Sequence, residues 1–193
     1  MPGSAFDPAA LPTILSDVAR LSAHAGQAIL DVYEDPSSFG TEAKGDGSPL
    51  TRADLASHEI LVAGLRELTP DVPVLSEESA EVPYEERSSW QRFWLVDPLD
   101  GTKEFVKRNG EFTVNIALIV DHEPVLGVVL APALDREYCG GPGIGAWRRL
   151  EHGAADPQRC RGHVRHPAPR DHPRLPPAQV ERRPVPLVAG EQR

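Results

Sequence analysis

The amino-acid composition changes abruptly near residue 150, and this change limits the part of the chain that can build a hydrophobic core. Residues 1–150 carry 12 basic and 24 acidic residues, whereas residues 151–193 carry eight basic and five acidic residues. The second segment holds eight of the 20 prolines but no lysine, isoleucine or aromatic residue. Prolines remove backbone donors, and so few apolar side chains cannot fill a core. We therefore assign residues 8–149 to one folded domain, and residues 150–193 to an Arg/Pro/His-rich tail that is disordered or translated out of frame.

The net charge of the chain restricts the partners it can bind. At −9, the chain would repel the phosphate backbone of a nucleic acid, so we expect no nucleic-acid partner. A small anionic substrate remains compatible with this charge if a metal ion supplies positive charge. No apolar run approaches the roughly 20 residues of a membrane span, and the N-terminus lacks the features of a signal peptide. These features predict a cytoplasmic protein.

Two N-terminal stretches have the apolar spacing of amphipathic helices. In residues 8–33, apolar side chains recur at steps of three and four, as one buried helical face requires. A second helix is predicted between Thr51, which suits an N-cap, and Pro70, which ends it. Residues 39–49 are rich in glycine and proline and indicate a loop or a short mobile hairpin.

Extended patterns replace the helical ones after residue 70. Short apolar runs at residues 72–75 and 93–96 each lead into acidic residues. Two β-rich runs, residues 112–120 and 125–131, are separated by four residues whose length suits a hairpin connection. This order of elements predicts an α+β fold in which two N-terminal helices pack on an antiparallel sheet.

Asp97 and Asp100 follow the strand predicted at residues 93–96. Pro98 interrupts the hydrogen-bond ladder and Gly101 permits a tight turn, so both carboxylates can point into one small space. Two close carboxylates repel each other unless a hard divalent cation such as Mg²⁺ neutralises them. An acidic turn without a metal remains the alternative interpretation.

Further oxygen donors lie near these two aspartates in the predicted fold. The backbone carbonyl of Leu99 lies between them in sequence, and Glu77 follows the neighbouring apolar run. Three acidic groups are therefore expected at adjacent strand ends, although a solvated Ser-Glu-Glu-Ser loop would explain Glu77 equally simply. The N–H groups of Gly101 and Thr102 would suit a phosphate, particularly if a helix begins there.

Three segments of the sequence resemble the inositol monophosphatase superfamily. They are Val-Leu-Ser-Glu-Glu at residues 74–78, Trp-Leu-Val-Asp-Pro-Leu-Asp-Gly-Thr-Lys-Glu-Phe at residues 94–105, and Asn-Gly-Glu-Phe-Thr-Val-Asn-Ile-Ala-Leu at residues 109–118. The Thr-Lys-Glu-Phe continuation and the Arg-Asn-Gly-Glu-Phe of residues 108–112 are similar to the CysQ-type 3'(2'),5'-bisphosphate nucleotidases. The resemblance spans about residues 10–149 and implies the first half of a layered αβαβα sugar-phosphatase fold.

The resemblance also implies a site that holds two or more Mg²⁺ ions. Glu77, Asp97 and the carbonyl of Leu99 would hold the first ion, and Asp97 and Asp100 would share the second. Such a site activates a water molecule and stabilises the leaving group of a phosphate ester.

The same resemblance implies roles for residues around the metals. The catalytic residues would be Glu77, Thr102 and Asp54, with Asp54 orienting Thr102. Lys44 would reach the metal site or the substrate from the loop above it. The substrate-binding residues would be Glu77, Leu99, Asp100, Gly101, Thr102 and Lys44.

The implied reaction converts adenosine 3',5'-bisphosphate to AMP and phosphate in sulfur assimilation. Two alternatives stay open: an inositol or sugar phosphate phosphatase, and a catalytically dead remnant that binds metal only. The second alternative arises because family members continue into a second α/β half with a Trp-Asp motif, which this sequence does not contain after Trp147. The resemblance also implies a homodimer and a peripheral attachment to the inner membrane as weaker expectations.

Overall fold

The computed structural model describes residues 8–35, 42–43 and 49–150. The predicted tail therefore lies almost entirely outside the described residues, and its disorder or origin stays a prediction. Both predicted helices are confirmed: α1 spans Leu11–Glu34 after a 3₁₀ turn at Pro8–Ala10, and α2 spans Arg52–Leu68. Within the described residues, no helix is both long and apolar enough to cross a membrane.

Two short strands and two short helices complete the connections. The strands β1, Glu42–Ala43, and β2, Pro49–Leu50, pair antiparallel between α1 and α2, in the region predicted to be a loop or hairpin. Helix α3 spans Tyr84–Arg87, and helix α4 spans Thr102–Val106. Helix α4 begins directly after the glycine that was predicted to form a turn.

A six-stranded sheet forms the centre of the fold. Its strands are β3 (Val74–Ser76), β4 (Arg92–Asp100), β5 (Thr113–Val120), β6 (Glu123–Ala131), β7 (Arg136–Gly141) and β8 (Gly145–Leu150). They lie in sequence order, and β4 to β8 pair antiparallel, which confirms the predicted α+β class. One edge departs from the predicted antiparallel pairing, because β3 pairs parallel with β4.

Side-chain alternation divides this sheet into two faces. On β5, Val114, Ile116 and Leu118 are buried against the helices, as period-two alternation requires. Helix α1 packs mainly on β6, and α2 packs on β4. The opposite face, which we call the open face, is lined by Leu95, Ala117, Gly127, Val129 and Tyr138.

The strand boundaries differ from the predicted ones at two points. The β5–β6 connection is the two-residue turn Asp121–His122, whose φ angles of 49° and 68° suit a type I′ hairpin, so the predicted four-residue connection was too long. Strand β4 continues past Asp97 to Asp100, although its pairing with β5 is irregular between these residues. Because Pro98 cannot donate a ladder hydrogen bond, the irregularity falls where the sequence predicts an interruption.

Candidate metal centre

Asp54 occupies the first turn of α2 and is fully buried there. Thr51, the N-cap, accepts a hydrogen bond from the N–H of Ala53 at 3.2 Å, and its own N–H donates to Asp54 Oδ2 at 2.8 Å. The Thr51 hydroxyl donates to the same carboxylate oxygen. This reciprocal capping box satisfies donors that a helix start otherwise leaves without partners. It holds the Asp54 carboxylate in one orientation.

Thr102 meets the second oxygen of that carboxylate. Gly101 adopts a φ of 90°, a left-handed conformation that favours glycine, and this turn starts α4 at Thr102. Thr102 Oγ1 lies 3.1 Å from Asp54 Oδ1 and 3.3 Å from the carbonyl oxygen of Leu99. The structure therefore places Thr102, Asp54 and Leu99, three of the predicted site residues, in direct contact.

Glu77 directly follows β3, and Asp97 lies in the second half of β4, the neighbouring strand that runs in the same direction. In the register of β3 and β4, Ser76 pairs with Val96, so the next residue of each strand lies at the same edge of the sheet. The N–H of Glu77 donates to the carbonyl of Val96 at 3.0 Å, and the side chains of Glu77 and Asp97 share a hydrogen bond. The parallel pairing, which the sequence did not predict, therefore brings these two carboxyl groups together.

This environment raises the pKa of Asp97 to about 7 from an ordinary value of 3.8. Burial is the largest cause, followed by the negative charges of Glu77 and Asp100, while a hydrogen bond from the N–H of Leu99 acts in the opposite direction. Asp97 Oδ1 is buried and has no hydrogen-bond partner among the described residues. A buried acceptor beside two like charges is a position that a cation would stabilise.

Asp100 lies at the solvent-exposed side of this cluster. Its Oδ2 accepts a hydrogen bond from Asn115 Nδ2 at 3.3 Å, and its charge still contributes to the raised pKa of Asp97. Asn115 pairs with Asp97 in the β4–β5 register, and the sequence reasoning did not single it out. The sequence feature that could have identified Asn115 is its position as a lone amide within the apolar run of β5. It lies on the face away from the helices.

The donor chemistry of these residues fits a hard divalent cation. The side chains of Glu77 and Asp97 are in contact, and Mg²⁺ is typically held by one or two carboxylates with water completing its shell. Within the described ranges, no three acidic, histidine or cysteine side chains converge on one point by themselves. The expected convergence of three acidic groups is therefore not found among these residues, and Glu77 and Asp97 are the carboxylates that the structure brings into contact. Lys44, predicted to reach the site from above, lies outside the described residues.

Two further residues of α2 touch the segments that carry the site, and the sequence reasoning missed both. Ser57 Oγ donates to the carbonyl of Pro98 at 2.7 Å, and His58 Nδ1 shares a 2.9 Å hydrogen bond with Ser76 Oγ. The available signal was their spacing, because Ser57 and His58 follow Asp54 by three and four residues and therefore share its helical face.

A model of the inositol monophosphatase family matches residues 13–168, which is most of the chain. The chain belongs to the inositol monophosphatase family. The match continues past the change in composition near residue 150. Family membership confirms the resemblance seen in the Asp-Pro-Leu-Asp-Gly-Thr region, whose residues the structure places at the end of β4 and the start of α4.

Individual family members give a finer comparison. The chain is 54% identical over 135 residues to the 3'(2'),5'-bisphosphate nucleotidase CysQ of Escherichia coli K12, a match that covers 70% of the chain and 54% of that relative. Among solved structures, CysQ from Bacteroides thetaiotaomicron is 45% identical with a TM-score of 0.61, covering 80% of this chain and 55% of its own. The extragenic suppressor protein suhB from Bartonella henselae is 29% identical with a TM-score of 0.63, covering 70% and 52%. The chain thus spans about half the length of the family members it matches.

Proposed function

We propose that this protein is a Mg²⁺-dependent phosphomonoester hydrolase that converts adenosine 3',5'-bisphosphate to AMP and phosphate. The observation that carries the proposal is the contact between Glu77 and Asp97 at adjacent strand ends, with the Thr102–Asp54 pair beside it. The 54% identity to a CysQ nucleotidase supports the choice of substrate.

In this proposal, the metal ligands are supplied by the ends of β3 and β4. Glu77, Asp97 and the Leu99 carbonyl would hold one Mg²⁺, and Asp97 together with Asp100 would bind a second. When bound, Mg²⁺ supplies charge neutralisation, a more acidic water and stabilisation of the leaving oxygen. The raised pKa of Asp97 supports this assignment, because cation binding would offset the repulsion that causes it.

The protein groups around the metals would orient the attacking water. The Thr102 hydroxyl donates to Asp54 Oδ1, so its oxygen lone pairs remain able to accept a hydrogen bond from water. Glu77 would hold the same water from the β3 side and accept its proton, while Thr102 and Asp54 fix the direction of attack. The N–H groups of Gly101 and Thr102, where α4 begins, would bind phosphate oxygens, and Lys44 would contact the same anion.

Phosphate release from adenosine 3',5'-bisphosphate tests this function. We expect phosphate release by the 193-residue chain to require both Mg²⁺ and Asp97, with Asp97→Asn lowering the rate at least a hundredfold. Asp121→Asn, in the exposed hairpin turn, is the matched control and should leave the rate unchanged. Measurable release that is equal for the wild-type chain and Asp97→Asn would contradict the proposed site. Inositol and fructose phosphates in the same assay test the sugar phosphate alternative.

Metal binding without turnover is the second candidate, and the half-length match favours it for this polypeptide. It predicts that Mn²⁺, used as a spectroscopic substitute for Mg²⁺, binds the chain and is lost in Asp97→Asn while no phosphate is released. A cytoplasmic location, a peripheral membrane attachment and a homodimer stay predictions from the sequence and its resemblance.

A further inference from the structure

One turn of α2 presents three polar side chains to the candidate site. Asp54, Ser57 and His58 stand at positions i, i+3 and i+4, which share one side of a helix. Asp54 and Ser57 are fully buried, in a helix whose other buried residues are mainly apolar, such as Leu61 and Leu65. Burying a polar group costs free energy unless it is hydrogen-bonded, so each of these side chains needs a partner. All three partners belong to the segments that carry the site.

The bond of Ser57 fixes one peptide group of the site. Its hydroxyl donates to the carbonyl oxygen of Pro98 at 2.7 Å, where β4 pairs irregularly with β5. The same peptide unit carries the N–H of Leu99, which donates to the Asp97 carboxylate. Because a peptide group is planar, holding its oxygen also sets the direction of its N–H. Ser57 is therefore connected to Asp97 through one rigid peptide.

The bond of His58 acts on the neighbouring strand. His58 Nδ1 and Ser76 Oγ lie 2.9 Å apart, and Ser76 is buried immediately before Glu77. The N–H of Glu77 is in turn bound to the carbonyl of Val96 on β4. The backbone that carries the Glu77 carboxylate is thus held from α2 and from β4.

We propose that Ser57 and His58 are positioning residues, which use α2 as a common support to set the spacing of the Asp97 and Glu77 carboxylates. This inference rests on the proposed metal site, although neither residue touches a metal or the substrate. Outer hydrogen bonds of this kind typically change metal affinity by 10- to 100-fold when they are removed.

Mn²⁺ affinity, measured by electron paramagnetic resonance on the full 193-residue chain, is the first test. We expect Ser57→Ala to weaken Mn²⁺ binding at least tenfold, and Ser57→Thr, which keeps the hydroxyl, to recover most of it. Ser22→Ala is the matched control, because Ser22 is also a fully buried serine of a packed helix and its hydroxyl has no hydrogen-bond partner among the described residues. It should change the affinity less than twofold.

His58→Ala tests the hydrogen bond to Ser76 independently of Ser57, the fully buried serine. His58 is only partly buried, so its truncation should be tolerated, and we expect Mn²⁺ affinity to fall severalfold or more. Ser76→Ala should have the same effect, and the double variant should be no worse than either single variant, because all three remove the same hydrogen bond. Additive losses would show that the two residues act separately and would overturn this part of the proposal.

Amide hydrogen exchange of the metal-free chain separates this inference from the proposed function. We expect the amide of Leu99 to exchange faster in Ser57→Ala than in Ser22→Ala, since its peptide plane is no longer held. If wild-type protein binds no Mn²⁺, the metal site fails and the exchange rate alone decides the role of Ser57. If Ser57→Ala matches Ser22→Ala in exchange, or matches it in Mn²⁺ affinity when the wild type binds, Ser57 is not a positioning residue.

Discussion

Thr102 and Asp54 lie 48 residues apart in sequence, yet Thr102 Oγ1 is 3.1 Å from Asp54 Oδ1. The other oxygen of the same carboxylate receives the N–H and the hydroxyl of Thr51. One buried carboxylate therefore caps a helix and orients a hydroxyl at the candidate metal centre. Stability and site geometry should consequently respond together when this group is changed.

We expect Asp54→Asn to lower the free energy of unfolding by about 1–2 kcal/mol, because the amide keeps only one of the two acceptor oxygens that three donors require. Urea denaturation measures this loss. Glu59→Gln, an exposed acid-to-amide change on the same helix, should cost less than 0.5 kcal/mol. Equal stability of the two variants would show that the Asp54 contacts contribute nothing.

The raised pKa of Asp97 predicts how stability depends on pH without metal. The folded protein holds this proton up to about pH 7, whereas the unfolded chain releases it near 3.8. The resulting stability is complete below about pH 4 and is lost as pH rises to about 7. Because the carboxyl is partly exposed, we expect a loss of order 1–2 kcal/mol.

Denaturation of wild-type chain and Asp97→Asn between pH 4 and pH 8 tests this dependence. The variant should show a flatter profile and should exceed the wild type in stability at pH 8 without metal. Asp121→Asn should keep the wild-type slope. Millimolar Mg²⁺ at pH 8 should stabilise the wild type and not Asp97→Asn, and the same slope in both proteins would contradict the pKa shift.

Gly101 should tolerate no side chain. A Cβ there would lie 2.8 Å from the carbonyl oxygen of Glu111 and 3.3 Å from the Cα of Phe112, in addition to the strain of a φ of 90°. We expect Gly101→Ala to cost at least about 2 kcal/mol of unfolding free energy. Gly143→Ala, at a φ of 76° with no atom within 4 Å of the new Cβ, carries the strain alone and should cost about 1 kcal/mol. Similar costs for both would exclude the backbone clash.

The open face predicts association of the isolated chain. Leu95, Val129 and Tyr138 are 46%, 40% and 44% exposed there, and contiguous exposed apolar surface promotes aggregation. Val129→Thr should lower light scattering and the fluorescence of a hydrophobic dye. Val106→Thr, at 39% exposure on α4, is the matched control and should change neither signal. Scattering that falls equally in both variants would show that the open face is not responsible.

Local patterns predicted the elements of this fold better than their pairing. Helix α2 was predicted correctly because its signals, the Thr51 cap and the apolar spacing, lie within a short stretch of sequence. The parallel pairing of β3 with β4 depends on contacts distant in sequence, and period-two alternation contains no information on strand direction. The hairpin turn at Asp121–His122 was predicted two residues too long, because neither residue is a glycine or asparagine, the residues that most clearly mark such a turn in sequence.

The candidate site likewise contains residues that the sequence predicts and residues that only the tertiary contacts reveal. Asp97, Asp100 and Gly101 form one continuous motif that is recognisable in sequence. Ser57 and His58 are ordinary residues for a helix face, and their importance depends on which strands pack against that face. Such residues become apparent only when the tertiary contacts are known.

The three bonds from α2 to the site also link the site to the folding of the whole domain. They span 18, 41 and 48 residues of sequence, so none of them can form in a locally folded segment. The site is therefore assembled only when the helix docks on the sheet. A ligand that binds it would then raise the midpoint of global unfolding, because it stabilises the docked state as a unit rather than a single loop.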